Sequence, residues 1–303
     1  MSKSTSLLSA LVCTFIWGTT FIAQDTGMEL IGPYVFNGIR FFVGFLALIP
    51  FFLIFEIKKI KKEINKDKNF FLVNVFLVGL FLFGGTVFQQ IALLYTDVAN
   101  AAFFTIFYVP MVPVIIFFLY KATIHWSVWP SVILCVIGGY LLTDFYNASV
   151  RLGDLLVIIG ALFWSLHIIF IAKVIDKFDI PIFIGIVQTL VVSFFSIILA
   201  LVFEEFVFSN ILAQKAQILY AGILSAGIAF VLQIYAQKNI TPAPAAIIFS
   251  LEGVIATLAA WILLSQYLNI NNILGCLFIL IGVLFSQLAP EFKKINLKLS
   301  KKL

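Results

Sequence analysis

Long apolar runs separated by short polar breaks recur along the whole chain, and each run is close to the length that crosses a hydrocarbon layer as a helix. A spanning helix needs roughly 20 mostly apolar residues. By that measure the sequence predicts ten helices, over about 7–24, 31–55, 70–95, 97–119, 126–143, 154–173, 180–202, 215–237, 241–263 and 271–288. The connections are short, so consecutive helices are expected to be antiparallel neighbours. The longest break is Glu56 to Asn69, EIKKIKKEINKDKN. At the N-terminus Lys3 precedes an apolar run from Leu7, as in a signal peptide. That run continues through Trp17 to Ile22 and further spans follow, so it reads as a retained first helix.

Composition fits this pattern. Of 303 residues, 63% are hydrophobic and 11% charged, against about 45–50% and about 25% in soluble domains. The chain is an integral membrane protein whose first partner is the lipid bilayer, and no separate soluble domain fits. Its net charge of +5 does not point to nucleic acid, because the lysines mark loops on one side of the membrane. Lys3, the lysines between the second and third helices, Lys121, Lys173, Lys177, Lys238 and the C-terminal lysines share one side; of the basic residues only Arg40, Arg151 and Lys215 do not. The positive-inside rule puts that side, and both termini, in the cytoplasm, which requires an even number of helices. The other side carries Asp25, Glu29, Asp97, Asp144, Asp154, Glu204 and Glu205. It also holds the sequon at Asn147, read as chance.

The chain also repeats itself. Shifted by 144 residues, Gln89 falls on Gln233, Ala92 on Ala236, Ala101 and Ala102 on Ala245 and Ala246, and Gly138 on Gly282; shifts of 147 and 148 bring Trp17 onto Trp164 and Pro33 onto Pro181. The order holds across five helices, which divides the chain into repeats at 1–148 and 149–303. Because five is odd, the second repeat is expected to enter from the opposite side. The predicted fold is an all-α membrane protein of ten transmembrane helices in two inverted five-helix repeats, a geometry suited to a midplane site exposed alternately to either face.

Polar groups inside a bilayer are costly and ask for a partner or a role. Trp17, Thr20 and Gln24 share one face of the first helix. Later helices contribute Gln89 and Gln90, Tyr108, Trp164 and His167, Gln233 and Gln237, and Ser250 and Glu252. From these, Trp17, Thr20, Gln24, Gln89, Tyr108, Trp164, His167, Gln233 and Glu252 are assigned to a substrate cavity; interhelical hydrogen bonding is the alternative for the glutamines. Glu252 is the candidate ionic contact or proton carrier, since a buried carboxyl is driven toward its neutral form. Arg40 is expected to cap helix ends or reach toward the outer surface rather than hold a substrate carboxylate. Pro110, Pro113, Gly84-Gly85 and Gly138-Gly139 mark kinks or close packing.

Zinc-protease, intramembrane-protease and serine-nucleophile motifs are missing, and histidine occurs only at His125 and His167, so no enzyme, metal site or cofactor is expected. Cys13, Cys135 and Cys276 lie inside apolar runs and read as packing residues.

Four stretches, LVCTFIWGTTFIAQ, Gly32-Pro33 through Arg40-Phe41, QQIALLYTDVANAAFFTIFYVPMVPV and PAPAAIIFSLEGVIATLAAW, resemble the drug/metabolite transporter superfamily in its ten-helix EamA-type members. The resemblance spans essentially the whole chain. It implies a central cavity between the halves, alternating access and export of metabolites or amino acids. Two positions depart from the family pattern: Gly253 stands where Leu-Glu-Pro is usual, so the proline kink is absent or softened, and Ser265-Gln266 replaces a Gly-Glu pair. The reading is a secondary transporter exporting a small-molecule metabolite across a bacterial inner membrane, with protons a candidate coupling ion. The alternatives are an uptake permease and a non-transporting scaffold or sensor.

Overall fold

The computed structural model describes residues 2–96, 98–142, 151–263 and 267–300. Asp97, Asp144, the sequon at Asn147, Ser265, Gln266, Lys301 and Lys302 lie outside the described residues, as do the side chains of Lys293, Lys294 and Lys298. Among the described residues ten helices cross the bundle: α1 (Lys3–Thr26), α2 (Pro33–Phe55), α3 (Lys68–Ala92), α4 in two pieces (Val98–Thr105 and Tyr108–Tyr120), α5 (Val128–Leu142), α6 (Leu152–Ile175), α7 (Pro181–Phe203), α8 (Lys215–Ala236), α9 in two pieces (Pro242–Phe249 and Leu251–Leu263) and α10 (Ile270–Pro290). No strand occurs among the described residues. The 56–69 break is not bare loop: Ile57–Ile64 forms a short helix, with Ile57, Ile60 and Ile64 on one face and lysines between them. Its lysine content hid an i, i+3, i+7 apolar spacing.

Burial follows bilayer logic. Phe15, Ile54, Phe118, Leu201 and Leu284 point outward and are exposed, whereas Asn37, Arg40, Gln90, His167, Gln188, Gln233 and Glu252 are buried inside. Such an apolar exterior is stable only in lipid. The helices associate through small residues. A Cβ on Gly138 of α5 would meet the Gly275 carbonyl of α10 at 2.7 Å, and one on Gly275 would meet the Gly138 carbonyl at 2.6 Å, so only glycine permits that approach.

α2 and α7 form an antiparallel pair clasped at both ends by carboxylates. Beyond the end of α2, Glu56 accepts from the Ile182 and Phe183 amides at 3.1 and 2.9 Å, at the start of α7. Beyond the end of α7, Glu204 accepts from the Tyr34 and Val35 amides at 2.9 and 2.7 Å, at the start of α2. Each helix begins with proline, and the next N–H groups have no intrahelical acceptor. The two carboxylates satisfy those donors and complement the helix dipoles. Both clasps are made from the residues that the repeat superposes.

Candidate functional site

α4 and α9 are both interrupted at the same relative position. Pro110 has no N–H and crowds the Ile106 carbonyl, so the α4 helix breaks at Ile106-Phe107 and that carbonyl instead accepts from Val109 at 2.8 Å. In α9 the interruption falls at Ser250, whose hydroxyl donates back to Ile247 at 2.7 Å, and the Gly253 amide turns to the Ser250 carbonyl at 3.2 Å. α9 is therefore broken without the usual proline. Tyr108 and Glu252 each follow the break in their helix, and they meet: the Tyr108 hydroxyl donates to Glu252 Oε1 at 3.3 Å. Positions that superpose in sequence are in contact in space.

Around this pair lies a cavity with an empty volume of about 530 Å³. α1 contributes Trp17, Phe21 and Gln24, α3 contributes Thr86 and Gln89, and α6 contributes Trp164 and Ile168. Arg40, Thr105, Ser225, Phe230, Gln233 and Phe249 complete the wall with Tyr108 and Glu252. Ser225 comes from a ten-residue π-helical stretch of α8, Tyr220–Ala229, a distortion that often marks functional sites. The aromatic side is continuous: Trp17 packs on Phe230 and Phe249 with ring centroids 5.0 and 5.6 Å apart, and Trp164 stacks on Phe230 at 6.0 Å.

The repeat is broken in hydrogen bonding. Trp164 Nε1 donates to Gln89 Oε1 at 3.2 Å. The corresponding atoms of the other half, Trp17 Nε1 and Gln233 Oε1, are buried without a hydrogen-bond partner among the described residues. One half of the cavity has spent its polar groups, and the other keeps a donor and an acceptor free.

Seven of the nine residues assigned from sequence line this cavity: Trp17, Gln24, Gln89, Tyr108, Trp164, Gln233 and Glu252. Two do not. Thr20 is fully buried and donates to the Ile16 carbonyl of its own helix at 2.6 Å, because the face it shares with Trp17 is wider than the cavity wall. His167 stands one turn below Trp164 but turns toward α7, where Nε2 meets Gln188 Oε1 at 3.0 Å. Arg40 is the converse correction. It neither caps a helix end nor reaches the surface; it is 3% exposed and lines the cavity. Thr86 and Thr105 also join the wall although each hydroxyl donates back to its own helix, to Phe83 and Ala101, and Ser225 joins them; in the sequence nothing separates these from other threonines and serines.

Comparison with known proteins agrees with this architecture. The model of the EamA-like transporter family matches residues 4–143 and again 151–288. The chain belongs to the EamA-like transporter family. The EamA-like chain is 28% identical over 284 residues to an uncharacterized transporter of Archaeoglobus fulgidus, covering 93% of this chain and 85% of that one. It is 25% identical over 304 residues to the uncharacterized transporter YoaV of Bacillus subtilis, covering 95% and 99%. One solved crystal structure superposes with a TM-score of 0.79 at 17% identity, covering 95% of this chain and 98% of that one, which bears on the fold alone. Membership in a transporter family, with a polar cavity inside membrane-spanning helices, points to a transporter of small molecules rather than an enzyme.

Proposed function

We propose that this EamA-like protein is a secondary transporter that exports small organic metabolites such as amino acids by alternating access through the central cavity. Its halves, 1–148 and 149–303, act as inverted repeats, with both termini in the cytoplasm of a bacterial cell and the inner membrane as its location. The observation that carries the reading is Glu252: a buried carboxyl beside a helix interruption, bonded to its repeat mate Tyr108 and open to the cavity. Discontinuous helices at the midplane of a repeat protein are where transporters bind substrates and ions. A carboxyl there can take up a proton or meet an ammonium group.

The test is Glu252→Gln in proteoliposomes under a set pH gradient. Substrate flux, or its dependence on pH, is expected to be lost while the protein expresses and folds normally. Unchanged pH-dependent flux would reject Glu252 as the ionic contact, and the direction of flux under the gradient separates export from uptake.

A further inference from the structure

Resting on the transport reading above, we infer that Arg40 is the binding site for the substrate's carboxylate, so that the transported molecule carries a carboxylate and an amine together, as an α-amino acid does. The guanidinium is built into position. Its Nε and Nη2 both donate to Asn37 Oδ1, at 3.1 and 2.9 Å. Asn37 is in turn fixed through its amide nitrogen, which donates to Ser196 on α7 at 2.9 Å and to Thr86 on α3 at 3.3 Å. Phe36 and Phe41 lie against the guanidinium carbon at 5.5 and 5.0 Å. Among the described residues Nη1 has no acceptor and no carboxylate forms an ion pair with Arg40.

A cation held this way inside a membrane protein asks for an anion, because a buried unpaired charge is costly and an arginine fork matches a carboxylate. Glu252 lines the same cavity without ion-pairing to Arg40. Helix rise places Arg40 about 10 Å below the start of α2, and Glu252 about 15 Å along α9 from the other end. The cavity therefore presents a guanidinium from α2 and a carboxyl from α9 as separate groups on its wall. The free Trp17 Nε1 is a further donor for a carboxylate, and the free Gln233 Oε1 a further acceptor for an ammonium group. A net-neutral zwitterion satisfies both sets at once, and its apolar side chain meets the Trp17, Trp164 and Phe230 rings. An amine alone leaves Arg40 unpaired, and a carboxylic acid alone leaves the Gln233 Oε1 acceptor without a donor.

The experiment is counterflow of each of the twenty common L-amino acids into proteoliposomes holding the full chain, followed by competition with the decarboxylated amine and the deaminated acid of the best substrate. At least tenfold weaker competition by the amine than by the amino acid is expected. Arg40→Gln is expected to lower amino-acid counterflow more than tenfold and to remove the preference over the amine, with Arg40→Lys keeping part of both. Equal competition by the amine, or wild-type amino-acid counterflow in Arg40→Gln, overturns the carboxylate site and leaves the transport reading standing. Counterflow confined to amines or neutral solutes overturns it likewise, whereas no counterflow of any solute overturns both. If Arg40→Gln does not fold, the competition on the wild-type protein decides alone.

Discussion

Gly18 shows how closely one residue is tied to the cavity. A Cβ at this position would stand 2.5 Å from Ile255 Cβ and 2.7 Å from the Glu252 carbonyl. α1 thus packs against the turn of α9 that carries the buried acid, with no room for a methyl group. Gly18→Ala is expected to cost about 1–3 kcal/mol through overpacking. In detergent this reads as a lower apparent Tm, and in proteoliposomes as reduced flux, because the Glu252 turn must shift. An unchanged Tm and flux would mean that this approach is not required. Sequence could not single out Gly18 among 18 glycines, because what matters is the neighbour it faces.

Among the elements, the connections beside the N-terminal end of the bundle are held by carboxylates. Lys66 bonds Glu63 at 2.6 Å, Lys177 bonds Asp67 at 2.6 Å, the Asp179 amide donates to Glu63 at 2.8 Å, and Lys238 bonds Asp179. Burial pushes the Glu63 and Asp179 carboxyls up, but their lysine and amide partners outweigh it and hold both below the ordinary range. Asp67 is held low chiefly by its Lys177 bond. A carboxyl whose folded pKa is depressed contributes stability above its unfolded value, near 4, and loses it as pH falls through the folded value. Glu56 has the opposite sign: burial raises it, against its two amide donors and nearby lysines. The connections at 56–67 and 176–180 are therefore expected to stay protected at pH 5–6 and to loosen only below about 4. Hydrogen exchange across that range checks this, and loosening already at pH 6 would contradict it. The spacing of the lysines was legible in the sequence; their partners, brought together from distant connections, were not.

At the scale of the whole molecule, closure is unequal at the two ends. Toward the face opposite the N-terminus, Phe21, Ala102 and Ala256 pack together between the cavity and a vestibule lined by Thr96, Thr257 and Ala260, with an empty volume of about 1490 Å³. Toward the N-terminal face stand the Trp17, Phe230 and Phe249 rings, and beyond them Ser6 bonds the Tyr235 carbonyl while Asn239 donates to Ser6. With Cys13, Cys135 and Cys276 replaced by alanine, Ala260→Cys is expected to react with a membrane-impermeant maleimide on intact cells, while Ala245→Cys, fully buried in α9, is not. Reaction of Ala260→Cys only in inverted vesicles would reverse the proposed orientation.

The sequence by itself pointed to the membrane setting, the ten crossings and the duplication, because length, hydropathy and spacing are properties of a chain read one segment at a time; the resemblance of four stretches pointed to the transporter family, and seven of the residues assigned from sequence line the cavity. It also gave the pairing of Tyr108 with Glu252 as an alignment, though not as a contact. Only the tertiary structure decided that Thr20 bonds back to its own helix, that His167 turns to Gln188, that α9 breaks at Ser250, and that Arg40 faces the cavity. Those outcomes depend on which neighbouring helix meets each face. In a bundle of apolar helices that choice is made by small residues, helix breaks and side-chain hydrogen bonds between segments far apart in sequence.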